Sequence, residues 1–185
     1  MNPITKFLIE SNQSKDYRKR AEVIIVKNDK IFVGVRKGNK FMLPGGGIGP
    51  NEEPGDAAKR EAVEELNINC CDLIKIGGPI TITWPDIYGG EEQMNDKHKM
   101  WLDRHQLLGH INQTFVGKFS TISKSDTGPK DDKYPRKLIT TQRYIDQLES
   151  DNKTAKLDWK IKWNNYTIVC LRKVQSIIDR QLNGE

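Results

Sequence analysis

Two short runs of apolar and β-branched residues stand near the start of the chain. Ala21 to Val26 reads AEVIIV and Ile31 to Val35 reads IFVGV, with polar, turn-forming residues between them. This pattern predicts a β-hairpin. Phe41 to Leu43 predicts a further short strand, which ends where Pro44 and three successive glycines interrupt the pattern. We expect a loop from these glycines to about Glu53.

Apolar residues at helical spacing begin after Pro54 and continue to about Asn67. Pro54 suits the first turn of a helix, and Asp56 suits the positive end of the helix dipole. Asn67 suits the helix end, because asparagine adopts the left-handed conformation there more readily than most residues. The apolar stripe of this predicted helix consists of Ala57, Ala58, Ala62, Val63 and Leu66.

The second half of the chain predicts further strands and helices, separated by two polar segments. These segments, Pro85–Asn112 and Ser123–Arg136, are long for plain connections, and long loops often carry function. An amphipathic pattern predicts a closing helix at about Asn165–Leu182. The other predicted elements are strands at Cys70–Ile76, Ile80–Trp84 and Thr114–Thr121 and a short helix at Leu138–Leu148.

The segment from Lys156 to Trp163, KLDWKIKW, alternates strictly between polar and apolar residues. Strict alternation is typical of a strand with one buried face. We therefore predict a half-buried strand here, with its tryptophans in the core. The apolar face would carry Leu157, Trp159, Ile161 and Trp163.

The length of 185 residues suits one domain with a substantial core, and we expect a single domain over 1–185 with its core at about 20–182. The aromatic, Val, Ile and Leu residues provide enough apolar area to exclude intrinsic disorder. Lys and Arg number 30 against 25 Asp and Glu, which gives a net charge of +5. This balance favours an anionic partner, and phosphates of any kind would satisfy it.

The N-terminal residues lack the continuous apolar stretch of a signal peptide or a membrane-spanning helix, which favours a cytoplasmic protein with no membrane partner. The three cysteines are an odd number, and we expect them to be reduced core or strand residues. Histidines at 98, 105 and 110 match no standard zinc spacing. We interpret them as surface or core residues.

Three glutamates on the predicted helix provide the clearest sign of chemistry. Glu61, Glu64 and Glu65 are related as i, i+3 and i+4, so their carboxylates project from one face and repel one another. A charged face exposed to solvent is the plain alternative. A hard cation such as Mg²⁺ would remove the repulsion, because it prefers oxygen ligands and is often shared with substrate phosphates. The preceding glycines offer backbone carbonyls and amides free of side chains.

The rest of the pattern favours the metal site. Residues 46–68 read GGIGPNEEPGDAAKREAVEELNI, and these 23 contiguous residues resemble the Nudix box, G-x5-E-x7-R-E-U-x-E-E-x-G-U, where U is apolar. The hairpin and the Leu43-Pro44-Gly45-Gly46 lead-in before the box are also similar to that family. The one departure is Asn67 in place of glycine, which removes no ligand because asparagine tolerates a left-handed helix end.

The resemblance implies an α/β fold of the Nudix type, an α/β/α sandwich in which a mixed sheet lies between helices. It also implies metal-dependent hydrolysis of a nucleoside diphosphate linked to another moiety, giving a nucleoside monophosphate and a phosphorylated product. Glu61 and Glu65 would be the main ligands for Mg²⁺, with Mn²⁺ as an alternative. Glu64 would be a further ligand or the base that activates water, and Gly46 would offer its backbone carbonyl to the metal.

Other box residues would hold this site and its substrate. By the same resemblance, Glu52 and Arg60 would form an ion pair that positions the carboxylates. Arg36 and Lys37 could bind substrate phosphates or be exposed charges at a sheet edge. The backbone amides of the glycine turn, at Gly45 and Gly46, could also meet an anion.

The substrate is less specified by the sequence. Trp84, Tyr88 and Trp101 could stack on a base, or pack in the core or a lid. Pro85 stands near a proline that relatives cleaving ADP-ribose carry, which slightly favours ADP-ribose. Dinucleoside polyphosphates are also slightly favoured, and the other candidates are oxidised nucleoside triphosphates, nucleotide sugars and capped or triphosphorylated RNA ends. Some family members place the general base on a later loop. The candidates here are Glu91, Glu92 and Glu149, and for each of them a solvated surface acid is the favoured interpretation.

Two alternative functions remain open. From Ser123 to Trp163 there are ten Lys and Arg against seven Asp and Glu with interleaved aromatic residues, a composition compatible with RNA and with hydrolysis at an RNA 5′ end. A Nudix-fold domain that binds nucleotides without catalysis is the other alternative, although such a domain would be expected to lose box glutamates. A homodimer is a weak default expectation, since many relatives form one.

Overall fold

Strand β1, Asp16–Lys27, lies at the centre of a mixed sheet and pairs with three other strands. The structure is a computed structural model, which describes residues 16–85, 95–97, 99–100, 107–123 and 134–182. The helices whose bounds the structure describes are α1, Pro54–Leu66; α2, Thr141–Thr154; and α3, Asp158–Leu182. The other strands are β2, Lys30–Arg36; β3, Lys40–Met42; β4, Gly45–Gly47; β5, Ile68–Lys75; β6, Ile80–Thr83; β7, Leu107–Ile122; and β8, Arg136–Ile139.

The sheet combines one long parallel pair with antiparallel neighbours. Its main order is β3-β2-β1-β7-β5, and β4, β6 and β8 attach to β1, β7 and β2 respectively. β1 runs parallel to β7, from Tyr17 opposite Gly109 to Val26 opposite Lys118, whereas every other strand pair among the described residues is antiparallel. The pairing of β4 with β1 places the glycines of the box beside the centre of the sheet.

The alternation of side chains along β1 divides the core between two faces of the sheet. Ala21, Val23 and Ile25 pack against α1, whereas Ile24 packs with residues of α2 and α3 on the opposite face. Helices therefore cover both faces, and the α/β/α sandwich expected from the sequence is confirmed. None of the described helices combines the length and apolar composition needed to cross a membrane.

The prediction of a strand at Lys156–Trp163 is wrong, because α3 begins at Asp158. Trp159 and Trp163 are four residues apart, a spacing that places two side chains on one face of a helix and also on one face of a strand. The tryptophans therefore could not distinguish the two geometries. Helix α3 continues through the segment predicted to be helical and ends at Leu182, as expected.

Other predicted boundaries also require correction. The helix predicted at Leu138–Leu148 is a short strand, β8, followed by α2, which begins after Thr140 and extends to Thr154. The Thr140 hydroxyl accepts a hydrogen bond from the Arg143 amide at 3.2 Å, and this cap defines where α2 begins. The glycines expected in a loop form β4, and the end of the predicted loop Pro85–Asn112 belongs to β7.

The end of α1 provides a test of the helix cap. Asn67 has φ of 53°, and its amide donates to the Val63 carbonyl at 2.9 Å. Its buried Oδ1 has no hydrogen-bond partner among the described residues. We expect Asn67→Gly to raise the free energy of unfolding by about 0.5 kcal/mol, since glycine adopts this φ without strain and leaves no unpaired oxygen.

Asn67→Ala is the matched control. Its Cβ keeps the strain of the left-handed conformation, so the free energy of unfolding should fall by about 1 kcal/mol. Urea denaturation of the three proteins measures both changes. Equal effects of glycine and alanine would contradict this account of the cap.

Candidate active site

Strand β4 is where the backbone of the box meets the sheet. Gly45, Gly46 and Gly47 pair with Glu22, Ala21 and Arg20 of β1. A side chain on Gly45 would overlap the backbone of Ala21 and the Cβ of Glu22, so β4 reaches this position only because it carries no side chain there. The strand leaves its other side open to helix α1.

Two carboxylates of α1 approach the backbone of β4. The Glu61 carboxyl group occupies the space that a side chain at Gly46 would fill. Oε2 of Glu65 accepts a hydrogen bond from the Gly45 amide at 2.9 Å. Glu61 and Glu65 are one helical turn apart, so both meet the same three-residue strand. The site therefore consists of two carboxylates and adjacent glycine backbone.

The environment of Glu65 disfavours its negative charge. Burial is the main cause, and the negative charge of Glu61 adds to it, although the Gly45 amide and the cations Arg36 and Arg20 act in the opposite sense. Together they raise the pKa of Glu65 from 4.5 to about 7. A cation bound between the two carboxylates would relieve this cost, since it favours the ionised form of both.

Arg60 connects the loop of the box to its helix. Its Nε donates to Glu52 Oε1 at 2.9 Å, and Nη2 donates to Glu52 Oε2 at 3.1 Å and to the Gly47 carbonyl at 2.8 Å. The Gly49 amide donates to the same Glu52 carboxylate at 2.7 Å. These hydrogen bonds lower the pKa of Glu52, and the bonds from Arg60 have the largest effect. The predicted pair of Glu52 and Arg60 is present as a bidentate ion pair that holds the loop against α1.

Arg60 also contacts two of the predicted metal ligands. Its Nη1 donates to Glu61 Oε1 at 2.8 Å and to Glu64 Oε2 at 2.9 Å. Within the described ranges, no group of three His, Cys, Asp or Glu side chains is arranged to bind a metal ion without rearrangement. The donor set nevertheless fits a hard cation, because carboxylate oxygens and glycine backbone meet where Glu65 is held with a raised pKa. One oxygen each of Glu61 and Glu64 is engaged by Arg60.

A cavity of about 590 Å³ lies on the opposite face of the sheet, between the sheet and helices α2 and α3. Gly45 lines it, so the cavity adjoins the carboxylate site at β4. Arg20 lines it as well and donates from Nη2 to the Gly45 carbonyl at 3.2 Å. Further cations on its lining are Arg36, Lys37, Lys40 and Lys160.

Glu22 lies at the floor of this cavity and is 6% exposed. Its Oε1 accepts a hydrogen bond from the Thr114 hydroxyl at 2.6 Å. Burial raises the pKa of Glu22, against the opposing effects of Thr114 and Arg20. The floor of the cavity is therefore polar and hydrogen-bonded, whereas aromatic side chains supply much of its wall.

The structure brings together some of the residues that the sequence singled out. Arg36, Lys37, Gly45 and Trp84 all line the cavity. Glu149 instead forms an ion pair with Arg172 on the exposed surface of α2 and α3. Six other residues named in the sequence analysis lie outside the described residues. They are the base-stacking candidates Tyr88 and Trp101, the general-base candidates Glu91 and Glu92, and the histidines His98 and His105.

Many residues that line the cavity had no part in the sequence-based site, and Arg20, Glu22 and Trp159 are examples. Arg20 and Glu22 carry a signal that could have found them, because they are charged residues two apart, leading into an apolar strand on the same face as Ile24. Trp159 was assigned to a strand core, and only the helical geometry of α3 places it at the cavity.

Comparison with known proteins identifies the family. The model of the NUDIX domain matches residues 16–119, more than half of the chain. The chain belongs to the Nudix family. The matched residues include β1, β4 and the whole of α1, so the carboxylate site described above lies within the Nudix domain.

A curated relative and two solved structures are similar to the chain. An RNA pyrophosphohydrolase of Bartonella henselae is 44% identical over 57 residues, which are 31% of this chain and 30% of that protein, so the match spans less than a third of the relative's length. A NUDIX hydrolase from Nitrosomonas europaea has a TM-score of 0.50 at 13% identity, covering 87% of this chain and 90% of that one. A NUDIX-family hydrolase from Clostridium perfringens has a TM-score of 0.40 at 19% identity, covering 77% and 88%. The Nitrosomonas structure supports the fold alone.

The contact between Gly46 and Glu61 predicts the effect of one added methyl group. Gly46→Ala should displace the Glu61 carboxyl group from β4, because the new Cβ would fall on it. The displaced group is the end of a flexible side chain, so we expect the protein to stay folded but to lose most of its thermal stabilisation by Mg²⁺ or Mn²⁺. Gly55→Ala, which meets no atom within 4 Å, is the control. An unchanged metal response in Gly46→Ala would refute this reading of the contact.

The raised pKa of Glu65 predicts a pH-dependent cost to stability. The pKa of Glu65 is about 7 in the folded protein and 4.5 in the unfolded chain. The carboxyl therefore stabilises the fold at low pH, and this contribution is lost as the pH rises from about 4.5 through 7. Glu65→Gln removes this ionisation while its amide oxygen can still accept from Gly45. Without metal, the variant should therefore match the parent at pH 5 and be more stable by about 1 kcal/mol at pH 8, a figure reduced for partial exposure.

Thermal or urea unfolding at the two pH values, in EDTA, measures this difference. Adding Mg²⁺ at pH 8 should then stabilise the parent more than Glu65→Gln, which reverses their order. A Glu65→Gln protein that is less stable than the parent at pH 8 without metal would contradict the electrostatic account.

Proposed function

We propose that this Nudix protein hydrolyses a pyrophosphate bond in a nucleoside diphosphate derivative, giving a nucleoside monophosphate and a phosphorylated product. The observation that carries the proposal is the convergence of Glu61 and Glu65 on the glycine backbone of β4, beside a cavity that contains Arg20. Carboxylates for a metal and cations for phosphates thus adjoin one another.

The box residues have distinct tasks in this proposal. Glu61, Glu65 and the Gly46 carbonyl would hold Mg²⁺ or Mn²⁺, which supplies positive charge for the phosphates and a water of lowered pKa. Glu64 is a further ligand or accepts the proton from the attacking water. Glu52 and Arg60 hold the loop against α1, and their ion pair keeps the carboxylates in position without contacting the substrate.

The cavity supports a small nucleotide derivative as substrate. Its volume of about 590 Å³ lies within the range of about 300–1,000 Å³ typical of small-ligand sites. Arg20, Arg36 and Lys37 offer positive charge near the glutamates, where the pyrophosphate would lie. ADP-ribose and dinucleoside polyphosphates are the substrates we favour. A cytoplasmic location and a homodimer stay predictions.

Hydrolysis at an RNA 5′ end is the second candidate, favoured by the similarity of part of the chain to an enzyme named RNA pyrophosphohydrolase. A capped or triphosphorylated RNA would present the same phosphate chemistry to the site. A non-catalytic nucleotide-binding domain is the third, and the complete set of box glutamates speaks against it. Incubation of the protein with nucleoside diphosphate derivatives and with such RNAs, followed by mass analysis of the products, separates the three candidates.

The role of Glu64 provides the direct test of catalysis. Glu64→Gln should lower the rate of product release by about a hundredfold or more, because the amide can neither take up a proton nor carry charge to the metal. Circular dichroism should show an unchanged fold, since Glu64 is only half-buried. Glu53→Gln, an exposed carboxyl just before α1, is the control and should keep the full rate. A near-parental rate for Glu64→Gln in Mg²⁺ would overturn the assignment.

A further inference from the structure

A surface groove of about 650 Å³ lies between the end of β5 and the C-terminal half of α3. Ile74 and the two residues after it line one side, and a face of α3 from Val169 to Arg180 lines the other. This face is about 16 Å long at a helical rise of about 1.5 Å per residue. We call this surface the β5–α3 groove. It shares no lining residue with the cavity beside the carboxylates, so the chemistry described so far does not use it.

Apolar side chains line the β5–α3 groove from both sides. Ile74 is 61% exposed and Val169 is 51% exposed. Ile76 and Ile177, which are partly buried, line it as well. Apolar residues that lie together at the surface among charged residues mark a site of interaction, because a partner that covers them removes apolar area from water.

The charged side chains of the groove are all positive. No Asp or Glu lines it, and its cations are Lys75, Arg172, Lys173 and Arg180. Within the described ranges, only Arg172 of these four is in an ion pair, with Glu149 at 3.1 Å. Lys173 donates to the Ile76 carbonyl at 3.0 Å, an acceptor without a formal charge. The groove therefore favours a partner that carries negative charge.

Charge and shape together distinguish between the possible partners. A second copy bound about a two-fold axis would place the same cations opposite one another, which repel. A single strand of RNA would have no ring to stack on, because none of the lining residues is aromatic. A lipid bilayer would attract the cations but is too flat to follow the groove to the partly buried Ile76 and Ile177. A protein segment with apolar and acidic residues matches both parts of the lining.

The edge of β5 favours a helix over an added strand as that segment. The pairing of β5 with β7 shifts register between Cys71 and Ile74, and Asp72 has φ of 50°. Such a bulge interrupts the backbone groups that a further strand would pair with. A helix needs no backbone pairing, since its apolar stripe fills a groove while charged residues beside the stripe meet the surrounding charges.

We propose that the β5–α3 groove is a docking site for an acidic amphipathic helix of a partner protein. The apolar stripe of that helix would cover Ile74 and Val169, and its acidic residues would pair with Lys75 and Arg180. Docking here is independent of hydrolysis, because the groove and the cavity have no lining residue in common.

A display library of random peptides of about 16 residues, long enough to span the α3 face as a helix, provides the probe. Panning on the full chain, after depletion on the variant Ile74→Glu, retains the peptides that need the groove. The enriched sequences should have apolar residues three and four positions apart and a net charge of about −3 or below. Circular dichroism should show that Ile74→Glu is folded, since this side chain is more than half exposed.

Fluorescence anisotropy of an enriched peptide then separates the apolar from the charged contribution. Val169→Glu removes the apolar contact and adds a repelling charge, so it should weaken binding about tenfold. Val169→Lys removes the same contact and adds an attracting charge, so the loss should be less than about threefold. The double variant Lys75→Glu and Arg180→Glu should also lose about tenfold. Raising NaCl from about 50 to about 300 mM should weaken the parent about fivefold.

The matched controls are Leu138→Glu and Lys137→Glu on β8. Both residues are exposed, and β8 pairs with β2 rather than with any strand of the groove. They change the same side-chain types away from the groove, so each should alter the affinity for the peptide less than about twofold. A loss in the controls equal to that in Val169→Glu would overturn the proposal.

Three further outcomes would overturn it. The first is that no peptide distinguishes the parent from Ile74→Glu, and the second is that the enriched peptides carry no excess of acidic residues. The third is an equal loss in Val169→Glu and Val169→Lys, because charge would then play no part.

The other partners are tested with vesicles of phosphatidylserine and phosphatidylcholine, with a single-stranded RNA of about 12 nucleotides, and by sedimentation of the chain alone. If Val169→Glu weakens one of these associations about tenfold while no peptide responds to it, the groove has a different occupant and the proposal is overturned.

Discussion

The site depends on one close approach, that of helix α1 to the glycine backbone of β4. The Glu61 carboxyl group lies where a side chain at Gly46 would be, and Glu65 accepts a hydrogen bond from Gly45. On its other side β4 pairs with β1 at a distance that leaves no room for a side chain at Gly45. The glycines thus bring carboxylates and the central strand of the sheet within reach of a single ligand.

This approach has an electrostatic cost that the surrounding residues only partly offset. Burial and the charge of Glu61 raise the pKa of Glu65, whereas Arg60 neutralises part of the cluster through Glu61 and Glu64. Arg60 is itself held by Glu52 and the Gly47 carbonyl. A fold selected for stability alone would not retain such a cluster, and departures of this kind are expected where a site requires them.

The sequence predicted the parts of this site that depend on local spacing. Helical periodicity predicted α1 and the common face of its glutamates, because it relates residues only a few positions apart, whereas the Glu52–Arg60 pair was implied by the resemblance of residues 46–68 to the Nudix box. Even the end of α1 at Asn67 followed from the tolerance of asparagine for a left-handed conformation. The placement of the glycines in a strand did not follow, because their partners in β1 are about 25 residues away.

The cavity was harder to predict because its walls come from distant elements. Arg20 and Glu22 precede an apolar run, and only the parallel pairing of β1 with β7 brings Glu22 to Thr114. Trp159 and Trp163 share a face in a strand and in a helix alike, so their spacing could not reveal α3. The fold class was predictable from short-range patterns, whereas the cavity required the tertiary arrangement.

Gly45 links the two halves of the site across the sheet. Its amide donates to Glu65 on the side of α1, and its carbonyl accepts from Arg20, which lines the cavity on the side of α2 and α3. Alternation along β1 sends Ala21 and Val23 toward α1, and Glu22 and Ile24 toward the other face. The carboxylates and the cavity therefore belong to opposite faces of the sheet, and among the described residues they adjoin at β4. Under the proposed function, a substrate that uses both must cross Gly45, so its phosphates would lie at β4 between Glu65 and Arg20, with the rest of the molecule in the cavity.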